Sequence, residues 1–289
     1  MSATKPGTFN ICTRAVSKDA SVTRVSTISP LEESLQEMSL DGGKTVNFID
    51  TEEGLIQLIE RMENIPTNPP SLYVDLEGVD LSRRGTISIL QVFIYPLGEI
   101  YLVDIYTLQT KAFTVCSSKR GQTLLAILES PNIPKVFFDV RNDSDALFSH
   151  FGVELAGVID LQLMELATRY FSKRCVNGLA KCIERDAPIN GEQRRIWREF
   201  KEKGRQLFAP ELGGSFEIFN VRPLPDSILK YCAQDVHILP LLWVHYDSKM
   251  SLDWRKKVAA EAIKRVKESQ SPNYIGTGRH MALEPSGWW

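Results

Sequence analysis

Two carboxylates stand two residues apart in Tyr73-Val-Asp75-Leu-Glu77-Gly, at the end of an otherwise apolar run. Side chains alternate between the faces of a strand, so both acids point the same way. Two carboxylates on one face can share hard divalent cations, and on a buried strand they are costly without a metal or a base. A second group lies in Val136-Phe-Phe-Asp-Val-Arg-Asn-Asp143-Ser-Asp145-Ala-Leu147, which offers Asp139, Asp143 and Asp145. Asp143 precedes Leu147 by one helical turn and shares its core-facing side, whereas Asp145 is rotated by about 200° and is expected to face solvent. Asp143 is therefore the candidate of the three, although an Asp near a helix start is, in isolation, more often a cap. The third group is Tyr231-Cys-Ala-Gln-Asp235, whose spacing puts a phenol and a carboxylate on one helix face. Alone, that pair is more often a buried Tyr bonded to a neighbouring Asp. Together, Asp75, Glu77, Asp143 and Asp235 suit two-metal phosphoryl transfer, in which cations sit roughly 3.5 to 4 Å apart. An all-oxygen site of this kind favours Mg2+ or Mn2+, two ions, over zinc.

Such residues need elements to hold them. Residues 1–44 are polar and aperiodic and are expected to form a disordered tail. A short strand at Val46, Phe48 and Ile49 precedes a helix carrying Leu55, Leu58, Ile59 and Met62, with Asp50 or Thr51 as its cap. Strand-like runs at Leu72 to Leu76, Thr86 to Ile94 and Ile100 to Ile105 are joined by short turns and predict an antiparallel three-strand meander. From Gln122 the pattern alternates helix with strand, with helices at about 122–129, 142–150, 161–170 and 176–184 and strands at 136–138 and 158–159. A long helix from Asp226 to Tyr246 carries Tyr231 and Asp235, and another runs to about Glu268. The fold expected is α/β, a mixed sheet flanked by helices. One catalytic domain over 45–250 and a C-terminal helix and tail over 251–289 follow from this division.

The chain has 289 residues, 34 Lys and Arg against 36 Asp and Glu, and 43 % hydrophobic residues, enough for a sizeable core but without the basic excess of many nucleic-acid binders. Five scattered cysteines form no Cys-x-x-Cys pair, which points to a reduced, intracellular chain, cytoplasmic or nuclear. A Ser/Thr-rich, weakly basic start keeps a mitochondrial address open. No run approaches the roughly 18 apolar residues of a membrane span, so no membrane partner is expected. Arg83 and Arg84 follow the first acid pair and are candidate phosphate contacts. Residues 191–205 hold six bases and three acids, among them Arg194 and Arg195 as further phosphate contacts and Trp197 as a base-stacking face. A solvated helix face explains that stretch equally well.

The ordered set of motifs resembles the DnaQ-like 3′-to-5′ exonucleases of the ribonuclease H-like fold, within them the RNase D-like branch with a tyrosine in the last motif. The resemblance spans about residues 45–250 and rests on Val74-Asp75-Leu-Glu77-Gly, Ile89-Leu-Gln91-Val, Lys135-Val-Phe with Asp143 and Leu147, Val158-Ile-Asp160-Leu, and Arg222-Pro-Leu with Tyr231-x-x-x-Asp235. It implies that Asp75, Glu77, Asp143 and Asp235 hold the metals, that Tyr231 positions the attacking water, and that the substrate is single-stranded nucleic acid, RNA preferred. Phe138 stands where several relatives have His, and too few residues follow the motifs for the helical domain of RNase D. Egalitarian-like and exonuclease-domain-containing-1-like relatives share Asp-Leu-Glu-Gly-Val-Asp and Arg-Asn-Asp-Ser-Asp, and some are inactive. An RNA-binding or adaptor module on the same fold is accordingly the alternative expectation.

Overall fold

A computed structural model describes residues 46–288; the tail expected over 1–44 lies outside the described residues, as does Trp289. The sheet is organised by alternation. In β2 (Leu72–Glu77), Leu72, Val74 and Leu76 enter one core and Tyr73 the other, which by the strand period puts Asp75 and Glu77 on the Tyr73 face. Strand β2 pairs antiparallel with β3 (Ile89–Ile94), which pairs antiparallel with β4 (Glu99–Asp104). On the other side β2 pairs parallel with β5 (Lys135–Phe137), followed by β6 (Val158–Asp160). With β1 (Val46–Ile49) parallel to β4, the order is β1-β4-β3-β2-β5-β6. The meander and the mixed sheet are those expected from the apolar pattern. Strand β3 begins at Ile89 rather than Thr86, because residues 78–86 form a tight turn in which Thr86 N–H donates to the Val79 carbonyl.

Helices cover both faces. Helix α1 (Glu52–Met62), capped by the Thr51 hydroxyl on Gly54 N–H, buries the stripe Leu55, Leu58, Ile59 and Met62. One-turn helices α2 (Ile105–Leu108) and α3 (Lys111–Thr114), then α4 (Leu124–Glu129) and α5 (Arg141–Phe151), complete that core. The opposite face, which carries Asp75 and Glu77, is covered by α6 (Leu161–Thr168), α7 (Leu179–Asp186), α8 (Gly191–Phe208), α9 (Asp226–Asp247) and α10 (Leu252–Ser269). Helix α9 is buried on most sides, from Ile228 through Val236 to Leu242, as a helix lying centrally on a sheet must be. At the far end of β5, fully buried Lys135 donates from Nζ to the carbonyls of Ile127 and Ser130 at 3.0 and 2.7 Å, and burial pushes it down to about 7. Among the described residues no helix is long and apolar enough to cross a membrane.

Candidate active site

Strand β2 ends in a turn that only glycine admits. A Cβ on Gly78 would lie 2.0 Å from the Thr86 carbonyl oxygen, so the residue after Glu77 must be glycine for the two ends of the turn to close against each other. Over this strand end α9 lays Asp235, and one oxygen each from Asp75, Glu77 and Asp235 lies within 4.8 Å of the others. Asp235 is buried, whereas Asp75 and Glu77 are half-buried. Burial and the neighbouring Asp235 raise Asp75 to about 7, against the pull of Lys201. Burial and Asp75 likewise push Glu77 well above the ordinary carboxylate range. Carboxylates so crowded either share protons or share a cation.

Asp143 sits in the first turn of α5, 6 % exposed. It is not one of the three converging acids, but burial, then Asp75, Asp139 and Glu77, raise its carboxyl well above the usual range. The site is therefore a triad with a fourth acid within its field. Gln91, the cross-strand partner of Asp75, is fully buried, and both atoms of its side-chain amide lack a hydrogen-bond partner. An all-carboxylate donor set flanked by such an orphaned amide fits hard divalent ions, which bring their own oxygen ligands and waters.

Sequence reasoning placed Lys201 only within a basic stretch, yet it reaches into the triad. Its Nζ donates to both oxygens of Asp235, at 2.7 and 2.6 Å, and to the Tyr231 hydroxyl at 2.8 Å. The ammonium also lies 4.1 Å from the centroid of the Tyr231 ring, which Phe208 meets edge-on. What allows this reach is the close approach of α8 to α9, since a Cβ on Gly204 would fall 2.3 Å from a Tyr231 ring carbon. Trp197, Lys201 and Gly204 recur at helical spacing and form the inward stripe of α8, a signal present in the sequence. Burial, followed by Asp235 and Glu77, raises Tyr231 far above an ordinary phenol, so the hydroxyl keeps its proton.

Neighbouring ion pairs hold this geometry. Asp145, expected to face solvent, is 1 % exposed and accepts from Arg83 backbone N–H at 2.8 Å and from Arg83 Nε at 2.6 Å. Helical angle gave its direction; what covers that direction is the distant turn at Arg83. The other Arg83 donors reach the carbonyls of Ser269, Ser271 and Pro272 just beyond and at the end of α10. Asp139, at φ 61°, lies in the turn entering α5. Burial opposes its ionisation, but Arg141 and Arg265 hold it below the usual carboxylate range. Asp160 accepts from the backbone N–H groups of Asp139 and Gln162 and from Arg265 at 2.7 Å, tying α5, α6 and α10 to one carboxylate. Arg222 makes a two-pronged pair with buried Asp104, fixing the chain that leads into α9.

The expected substrate contacts are arranged differently from the acids. Arg83 is spent on Asp145 and the end of α10, while Arg84 is exposed. Arg194 donates to the carbonyls of Ala187 and Ile189, and Arg195 pairs with Glu192 and Glu199 along its own helix. Trp197 is 5 % exposed inside the core, so it presents no face for stacking on a base. It lies on the inward stripe of α8 with Lys201 and Gly204, whereas Arg195 and Arg198 face outward.

Residues 46–246 match the family model described as 3′-5′ exonuclease, and the chain belongs to that family. The piRNA biogenesis protein EXD1 of Mus musculus is 33 % identical over 186 residues, covering 62 % of this chain and 30 % of the mouse protein. Its Homo sapiens counterpart is 28 % identical over 186 residues, covering 62 % and 33 %. The chain thus spans about a third of the length of these curated relatives. The crystal structure of Trypanosoma brucei RNase D in complex with RNA U12 superposes with a TM-score of 0.68 at 21 % identity, over 90 % of this chain and 80 % of that one. That likeness is one of fold, the ribonuclease H-like α/β architecture.

Proposed function

We propose that the chain is a divalent-metal-dependent 3′-to-5′ exonuclease that shortens single-stranded nucleic acid, RNA in preference to DNA, and releases nucleoside 5′-monophosphates. The observation that carries this reading is the meeting of Asp75, Glu77 and Asp235 within 4.8 Å, beside Asp143, in a chain of the 3′-5′ exonuclease family. RNA is favoured because the mouse relative is a piRNA biogenesis protein and the Trypanosoma brucei RNase D of like fold was solved in complex with RNA U12.

Asp75, Glu77, Asp143 and Asp235 would hold Mg2+ or Mn2+, two ions. When bound, such ions lower the pKa of water and neutralise charge gathering on a phosphate. The residues of the chain do the remainder. The carboxylates fix the position of that charge at the end of β2. The Tyr231 hydroxyl, kept protonated, can donate to the attacking water and orient it. Water adds to phosphorus, the bond to the 3′ oxygen of the penultimate sugar breaks, and a proton ends on that oxygen.

The test is incubation of the purified chain with single-stranded RNA and DNA, each with a free or a blocked 3′ end, with Mg2+, Mn2+ or chelator. Shortening of the 3′-accessible strands only, in either metal and not in chelator, is expected; no shortening in either metal would overturn the proposal. A second reading, a nucleic-acid-binding module without hydrolysis, is favoured by one observation, the Lys201 ion pair that already neutralises Asp235. Tight RNA binding without shortening would select it.

A further inference from the structure

The lysine that reaches the triad has no part in the motifs that brought the acids together. Lys201 is anchored on α8, its side chain 18 % exposed, and faces an Asp235 side chain that is 4 % exposed. It contacts both oxygens of that carboxylate, the phenolic oxygen and the ring face of Tyr231 at once. Those contacts engage both oxygens through which Asp235 would join Asp75 and Glu77 around a cation, and set a positive charge where that cation would sit. The approach is built into the packing, because Gly204, one turn further along α8, lets the helix lie directly on Tyr231.

We infer that Lys201 is a resident cation of the acidic triad, one that must withdraw from Asp235 before a divalent ion can be held by Asp75, Glu77 and Asp235. The inference rests on the metal-site reading above and deepens it. In the metal-free chain the ammonium supplies one positive charge against three converging acids and keeps them from forcing α9 off the sheet. In the loaded chain the same side chain, released on its four-carbon stem, lies at the rim where a phosphate oxygen would arrive. Lys201 therefore sets how tightly the site holds divalent ions, and it does so whether or not hydrolysis follows.

Two properties should move in opposite directions. Lys201→Met removes the competitor, so Mn2+ should bind tighter, on the order of ten-fold, the scale on which residues around a metal site alter its affinity. It also leaves the acids unneutralised, so the metal-free chain should melt at a lower temperature than wild type. Lys201→Arg, which keeps the charge, should stay close to wild type in both.

The experiment titrates Mn2+ into wild type, Lys201→Met, Lys201→Arg and Asp75→Asn, following free Mn2+ by electron paramagnetic resonance, with thermal melts alongside. If the methionine variant fails to fold, Lys201→Gln gives the same readout, as it keeps a donor without the charge. Tighter Mn2+ binding in Lys201→Met, with binding lost in Asp75→Asn, supports the inference. Equal or weaker binding in Lys201→Met overturns it and leaves the metal site standing. Absence of Mn2+ binding in every form overturns the inference and the metal-dependent reading together. Tighter binding in a chain that shortens no nucleic acid upholds the inference and removes only the nuclease reading.

Discussion

In the proposed reaction single carboxylates are decisive, and their neighbours set the state in which they sit. Asp75 belongs to the triad and also raises Glu77 and Asp143, so it is the residue on which the other acids depend. Asp75→Asn should reduce 3′-end shortening by about a hundred-fold or more, beyond what changes outside the ligand shell bring about. Its melting temperature without metal should not fall, because a repelled charge has been removed; a variant that shortens RNA at the wild-type rate would contradict this. Lys135 offers a second test, remote from the site. With a folded value of about 7 against about 10 unfolded, the unfolded chain binds more protons between those limits, so stability should rise with pH from about 7 to about 10. The slope contributed is at most about 1.4 kcal/mol per pH unit. Urea midpoints between pH 7 and pH 9 should show that slope in wild type and lose it in Lys135→Met; equal slopes in both proteins would refute the assignment.

At the scale of elements, the site depends on how α5, α8, α9 and α10 are tied down. Arg265 of α10 is 4 % exposed and pairs with Asp160, which is fully buried and organises the turn into α5. Arg265→Ala removes the cation paired directly with that buried carboxylate and should cost about 3 kcal/mol or more in chemical denaturation. Gly204→Ala drives a methyl group into the Tyr231 ring and should cost about 1 to 3 kcal/mol, with Mn2+ affinity altered as Lys201 is pushed away. Wild-type stability in either variant would show that these contacts do not hold the elements. The same contacts explain what was legible beforehand. That Asp75 and Glu77 share a face follows from two-residue alternation, which is local. The inward turn of Asp145 was not legible, because helical angle fixes a direction and says nothing of the Arg83 turn that fills it. Lys201 was legible in principle, from the stripe of Trp197, Lys201 and Gly204, but its charge drew it into the reading of a basic surface. Trp197 was misread for the converse reason, as an aromatic among bases whose apolar spacing in fact directs it inward.

For the whole molecule, a net charge near zero does not argue against the proposed nucleic-acid partner. The formal charge is −2, yet several of the acids are gathered at one strand end where bound cations would reverse the local sign. The bases of α8 are largely answered by acids on the same or adjacent helices, including Arg195 with Glu192 and Arg198 with Glu184. Such a surface suits a substrate held near its end, with modest salt-dependent affinity, rather than a long electrostatic grip. The antiparallel meander and the mixed sheet could be anticipated from strand and helix alternation, whereas the meeting of the first and third acid motifs, with Asp143 of the second beside them, depends on α9 and α5 being seated by pairs from far along the chain. The central claim is tested most directly by mass analysis of the products from a single-stranded oligoribonucleotide incubated with Mn2+. Nucleoside 5′-monophosphates released stepwise from the 3′ end are expected, absent with chelator and in Asp75→Asn. An intact oligonucleotide, or the same products from Asp75→Asn, would contradict that claim.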